Sequence, residues 1–205
     1  MPPPTSVAPI FHQTPRGTLV NPKLNVPVTK YKAEGEYKAG FRIPVSIFLS
    51  SGLKAVLDDA TADAFRNATA DGRALTPLQR AKMKAGGPLY PYGPARDQER
   101  NELPDMIDLM FAIRAVGTDP ITGDLVSNRP EQFDAQTNPI EIQLIHGIEA
   151  IIGFTIFPWA TSAIGYGASL RPKAIQVLKL PERSKADAVR YGFKPQDGDA
   201  LFGAG

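Results

Sequence analysis

Apolar and polar residues alternate with period two along GEYKAGFRIPVS, so Tyr37, Phe41, Ile43 and Val45 share one side of an extended chain and Lys38 and Arg42 the other. The preceding limb, from Arg16, is extended in character but broken by Pro22 and Pro27, and Glu34-Gly35 supplies a hairpin-like turn between the two. At Ser51 the period lengthens. Leu53, Val56, Leu57 and Ala60 recur at helical spacing behind a serine suited to capping, which predicts a helix to about residue 70. A second helix is predicted over 76–85, with Thr76 as N-cap, Pro77 at the first helical position and Gly86-Gly87 as the stop. The proline-rich PLYPYGPARDQERNELPD reads as a loop whose Tyr90 and Tyr92 are partly exposed.

Period two returns in DMIDLMFAIRAVG, where Ile107, Leu109, Phe111 and Ile113 alternate with Asp108, Met110, Ala112 and Arg114 as in a half-buried strand. After a turn-rich excursion over 119–140 with room for a short strand, EIQLIHGIEAIIGFTIFPWA and GYGASLRPKAIQVLKL read as two long strands joined by a turn near Thr161 to Gly167. Five prolines in residues 1–15 predict an irregular arm, and the polar, glycine-containing 182–205 a flexible tail. The expected architecture is one mainly β domain over 16–181, with a helical insertion over 51–86. About five strands with helices inserted after the first pair suit a small Greek-key barrel.

Composition narrows the chemistry. A 205-residue chain that is 42% hydrophobic suffices for one sizeable core. With no cysteine, disulfides, thiolate metal sites and cysteine nucleophiles are excluded. The N-terminus lacks a basic, then apolar, leader, and no stretch reaches the apolar length of a membrane span, so a soluble intracellular protein with no membrane partner is expected. His12 and His146 stand far apart without metal-ligand spacing, and His146 reads as a strand residue satisfied by a neighbour. No phosphate-binding glycine loop or nucleophile elbow is present, and Asp58-Asp59 lie on a predicted helix as a solvated face. Neither a catalytic residue nor a metal or cofactor site is expected.

The net charge of +2 conceals a polarised chain. Residues 1–100 carry 14 Lys and Arg against 8 Asp and Glu, whereas residues 101–205 carry 9 against 13. Within the second half, FPWATSAIGYGASLRPKAIQVLKL joins aromatics, glycines and bases. Strand parity places Phe157 and Trp159 opposite the core-facing Ile152, Phe154 and Ile156, and Arg171 and Lys173 on one face of the returning strand. Aromatic faces beside positive charge are what single-stranded nucleic acid requires, for stacking and for phosphates respectively. Two features of the same stretch allow another reading: a lone tryptophan beside proline also suits a core plug, and Ile175 and Val177 fall on the parity of Arg171.

The succession RGTLVNPKLNVP, GEYKAGFRIPVS, an inserted helix, DLMFAIRA and IHGIEAIIGFTIFPWATSAIGYGASLRPKAIQVLKL resembles the single-stranded DNA-binding proteins of tailed, podovirus-like phages, over about residues 14–181. The resemblance implies an OB-fold barrel that coats single-stranded DNA during phage replication, recombination and repair, in the cytoplasm of an infected bacterial host, without cofactors and without strong sequence preference. It implies that bases stack on Trp159, Phe157 and Tyr31 while Lys30, Lys32, Lys38, Arg42, Arg114, Arg171 and Lys173 meet phosphates. It also implies a C-terminal acidic tail that contacts polymerase or helicase/primase, and a possible homodimer. Here the chain departs from the pattern, because only Asp197 and Asp199 precede Phe202 in QDGDALFGAG. The alternative is a phage structural or assembly protein with a β-rich core and no affinity for nucleic acid.

Overall fold

Strand pairing closes five long strands on themselves in a computed structural model that describes residues 9–30, 33–70, 75–119 and 122–181. The strands are β1 (Gly17–Val28), β2 (Glu36–Pro44), β3 (Glu102–Arg114), β4 (Glu149–Thr161) and β5 (Gly165–Lys179). Their order around the barrel is β1–β2–β3–β5–β4, and β4 returns to β1 through Glu149↔Thr18 and Ala150↔Gly17. Every junction is antiparallel except β3 with β5, which run parallel at Leu170↔Phe111. This is the mainly β Greek-key barrel of the OB type that the sequence predicts. Closure removes the unpaired edges that an open five-stranded sheet would present.

The alternating residues do what their period dictates. Tyr37, Phe41 and Ile43 of β2 and Leu109, Phe111 and Ile113 of β3 point inward and are buried, while Met110 between them is exposed. Phe111 sits at the centre, edge-on to both Phe41 at 6.3 Å and Phe154 at 5.4 Å between ring centroids. These edge-to-face pairs add about 0.5–1.5 kcal/mol each beyond area burial. Leu19, Leu24, Ile152, Leu170 and Ile175 complete the barrel interior.

Between β2 and β3 stand α1 (Val45–Ser50), α2 (Leu53–Thr69) and α3 (Pro77–Ala85). The sequence reads Val45 to Leu49 as the end of a strand, but the chain turns helical there and buries Phe48. Gly52, at φ 74°, separates α1 from α2 and takes the N-cap position; Ser51 Oγ offers only a 3.4 Å bond to the Leu53 amide. A left-handed cap favours glycine over serine, so the break falls one residue later than expected. For α3 the expectation holds: Thr76 and Gln79 form a reciprocal capping box and Pro77 opens the helix. Helix α2 packs against β4 and β5, with Leu57, Thr61, Ala64 and Ala68 turned inward.

Three other regions differ from expectation. Tyr92–Arg96, read as loop, is a strand paired with β3, which itself begins at Glu102. Residues 141–148, read as the start of a long strand, lie outside β4 although Leu144 and Ile148 are buried. The Asn25 side chain there takes the place of a strand ladder, donating to the Ile142 carbonyl at 2.6 Å and accepting from the Leu144 amide at 2.8 Å. His146 falls in this segment and is exposed, not a strand residue. Finally, part of the proline-rich arm joins the barrel: His12–Gln13 pairs with β4, and Thr14 exchanges bonds with the Ile152 backbone at 3.0 Å in both directions. The expected tail over 182–205 lies outside the described residues.

Candidate nucleic-acid interface

The β4–β5 hairpin sets the geometry. Cross-strand neighbours are Thr155↔Arg171, Phe157↔Ser169 and Trp159↔Gly167, so Phe157, Trp159, Ser169 and Arg171 share the outward face. Phe157 is 45% exposed. Trp159 is half-buried against Gly167, where an added Cβ would lie 3.0 Å from the indole ring. The tryptophan is therefore a surface aromatic seated over a glycine, not a plug in the barrel.

The parity conflict on β5 is resolved by a bulge. Phe154 pairs with Pro172 but Gly153 pairs with Ala174, which leaves Lys173 as the extra residue. Before it, odd-numbered Ser169 and Arg171 are only partly buried; after it, odd-numbered Ile175 and Val177 are buried. One inserted residue thus lets the same strand hold its bases outward and its isoleucine inward.

Arg171 lies over the Phe157 ring, its guanidinium carbon 3.6 Å from the centroid. Burial, and then the positive charge of Arg114, hold the Arg171 guanidinium below the usual arginine range. Among the described residues Arg114, Arg171 and Lys173 form no ion pair. Arg42 is a contrast. Its fork binds both oxygens of Asp108 at 2.8 and 2.9 Å and the Arg96 carbonyl at 2.7 Å. Arg114, Arg171 and Lys173 outnumber the two carboxylates near them, Glu34 and Glu36, which leaves a local excess of positive charge that an anion relieves.

These side chains line one groove of about 1030 Å³, together with Glu34, Glu36, Ala112, Ile164 and a small β-ribbon made of Val116–Thr118 and Leu125–Ser127. Of the sequence-predicted set, the structure brings Arg114, Phe157, Trp159, Arg171 and Lys173 together. Lys38 lies outside the groove but beside it, paired with the groove residue Ala112 across β2 and β3. Lys30 is exposed just beyond β1. Arg42 is not brought to the groove, because Asp108 holds it elsewhere on the sheet. Tyr31, Lys32, Asp197, Asp199 and Phe202 lie outside the described residues.

Sequence reasoning missed Ile164, Val116 and Leu125. The signal for the last two was present as apolar residues flanking the turn residues of GTDPITGDL, a hairpin pattern. A smaller concavity of about 550 Å³ lies between residues 9–12, α2 and β4, and shares Phe157 and Arg171. Its one Lys or Arg, Arg171, stands with Asp59 and Asp63, whereas the larger groove sets Arg114, Arg171 and Lys173 beside Glu34 and Glu36, so the smaller concavity is the poorer of the two for phosphate. Among the described residues no cluster suited to a metal ion occurs, and no helix is long and apolar enough to cross a membrane.

No family model matches the chain, and no curated protein matches it in sequence. Solved structures do match in shape. The single-stranded DNA-binding protein gp2.5 of bacteriophage T7 superposes with a TM-score of 0.60 at 17% identity, over 87% of this chain and 97% of that one. A C-terminally truncated single-stranded DNA-binding protein from bacteriophage Enc34 gives 0.56 at 11% identity, over 84% and 87%. The Enc34 protein in complex with single-stranded DNA gives 0.54 at 13% identity, over 84% and 88%. At these identities it is the fold that is shared: the chain has the barrel architecture found in phage single-stranded DNA-binding proteins.

Proposed function

We propose that the protein binds single-stranded DNA in the groove between β3, β4 and β5, stoichiometrically and without strong sequence preference. The observation that carries the reading is Arg171, partly buried, stacked on Phe157, beside Arg114 and without a carboxylate partner. Phosphates occupy the strip of Arg114, Arg171 and Lys173, with Lys38 at its margin, and bases stack on Phe157 and Trp159. The two phage proteins of similar fold bind such DNA, which supports the same ligand here. A role in coating exposed strands during phage replication, recombination and repair inside the host cell follows from that ligand. Contact with replication proteins through Asp197, Asp199 and Phe202, and pairing of two copies, belong to the same proposal.

The direct test is the affinity of a labelled oligo-dT measured by fluorescence anisotropy. Arg171→Ala with Lys173→Ala is expected to weaken binding at low salt while the thermal unfolding midpoint holds. Unchanged affinity in the folded double variant would place the DNA on another face. Absence of any binding by the wild-type protein would favour an assembly role for the β-rich core.

A further inference from the structure

The β4–β5 connection is only Ser162 to Ile164, three residues long. In barrels of this type the β1–β2 and β4–β5 loops ordinarily rise on either side of a bound strand. Here the β4–β5 loop is too short to form a wall. The opposite side of the groove comes instead from the ribbon between β3 and β4.

That ribbon has two distinct faces. Pairing of Val116 with Ser127 and Thr118 with Leu125 puts these four on one side, and Gly117 with Val126 on the other. Val116, Thr118 and Leu125 line the groove. Leu125 is 78% exposed and Val116 39%, so the barrel gives neither a packing role that accounts for it. Across the groove stand Phe157, Trp159 and Ile164.

The ribbon is fixed where it leaves the barrel. Asn128 donates its side-chain amide to the Arg114 carbonyl at 3.1 Å and its backbone N–H to the Ala115 carbonyl at 2.9 Å. The same amide fills the space beside Gly117, where an added Cβ would lie 2.7 Å away. At the other end Asp119 accepts from the Thr122 and Gly123 amides, and its own N–H reaches the Asp124 carbonyl at 2.8 Å. Asp119 and Asp124 make this end acidic, which repels a phosphate backbone. The apolar strip between the anchored root and the acidic tip suits the uncharged faces of bases.

We infer that the ribbon of Val116–Thr118 and Leu125–Ser127 is the second jaw of the groove, with Leu125 and Val116 packing against unpaired bases that Phe157 and Trp159 stack from the other side. This inference rests on the reading of the groove as a single-stranded DNA site. It divides the labour within it: the basic strip takes the backbone and the ribbon takes the bases.

The test compares oligo-dT of about 16 nucleotides with an abasic deoxyribose-phosphate oligomer of equal length, by anisotropy at low salt. Leu125→Ser is expected to weaken oligo-dT by about tenfold and leave the abasic strand within about twofold. Val126→Ser, on the opposite ribbon face, is expected to change neither, and Arg171→Ala to weaken both. Equal losses for Leu125→Ser on both strands would overturn a base contact. No loss on oligo-dT, while Arg171→Ala still loses affinity, would overturn the ribbon's role and leave the groove standing. Failure of the wild-type protein to bind either strand would overturn both.

Discussion

Arg171 and Arg42 show how the same residue type serves different ends. Both lie on outward faces of barrel strands, but only Arg42 has a carboxylate, Asp108, within bonding distance. The two side chains of that pair are 18% and 23% exposed, so the bonds are partly shielded from water. Arg42→Ala is expected to cost about 1.5–3 kcal/mol in denaturant unfolding and leave DNA affinity unchanged. Arg171→Ala is expected to show the converse. Gly167 is constrained from two sides, since a Cβ there would lie 2.3 Å from the Leu89 carbonyl as well as against Trp159. Gly167→Ala is therefore expected to destabilise by about 1–3 kcal/mol and to shift the Trp159 emission. Tyr92 provides a pH signature. Burial, and its 2.6 Å bond to Asp58, push the phenol from 10.0 up to about 12. Stability that depends on the neutral phenol is complete below pH 10 and is lost as pH rises through 12. An absorbance titration should show a late-titrating phenol that is lost in Tyr92→Phe.

At the scale of elements, what the sequence made legible was period, and what it concealed was interruption. The alternation over 37–43 and 107–113 placed each buried residue correctly, because the pleat forces successive side chains to opposite faces. The box at Thr76 and Gln79 was legible for a similar reason, since capping depends on local spacing alone. Lys173 could not be read this way. A bulge is a property of two strands in register, and β5 alone shows only a contradictory parity. Residues 141–148 misled because Ile142, Leu144 and Ile148 satisfy the core without a ladder, their backbone held by an asparagine more than a hundred residues away. Deleting Lys173 is expected to close the bulge and leave Arg171 outward and Ile175 inward, because Pro172 and Ala174 already face the consecutive residues Phe154 and Gly153; the cooperative unfolding transition should persist while DNA affinity falls with the lost cation.

At the scale of the whole molecule, the barrel draws together residues that the chain keeps apart. Arg114 comes from β3, Phe157 and Trp159 from β4, and Arg171 and Lys173 from β5, yet all border one groove. The aromatic and basic members were legible in the sequence because their chemistry is distinctive. The ribbon was legible only as a hairpin pattern and not as part of the groove, because Val116 and Leu125 become unusual only once their exposure is known. A site that neutralises three or four phosphates should give a log-log salt slope of about −2 to −3 on single strands. Removing Arg171 and Lys173 together should reduce the slope by about 1.4.

Whether the outward face of the β4–β5 hairpin holds single-stranded DNA can be read from the fluorescence of the chain's single tryptophan. Trp159 is to be titrated with oligo-dT at low and high salt, with duplex of equal length as control. The single strand is expected to quench the emission, salt to reverse it, and duplex, which offers no unpaired base to stack, to have little effect. An unchanged signal together with no shift in the mobility of the oligonucleotide would contradict DNA binding at this face.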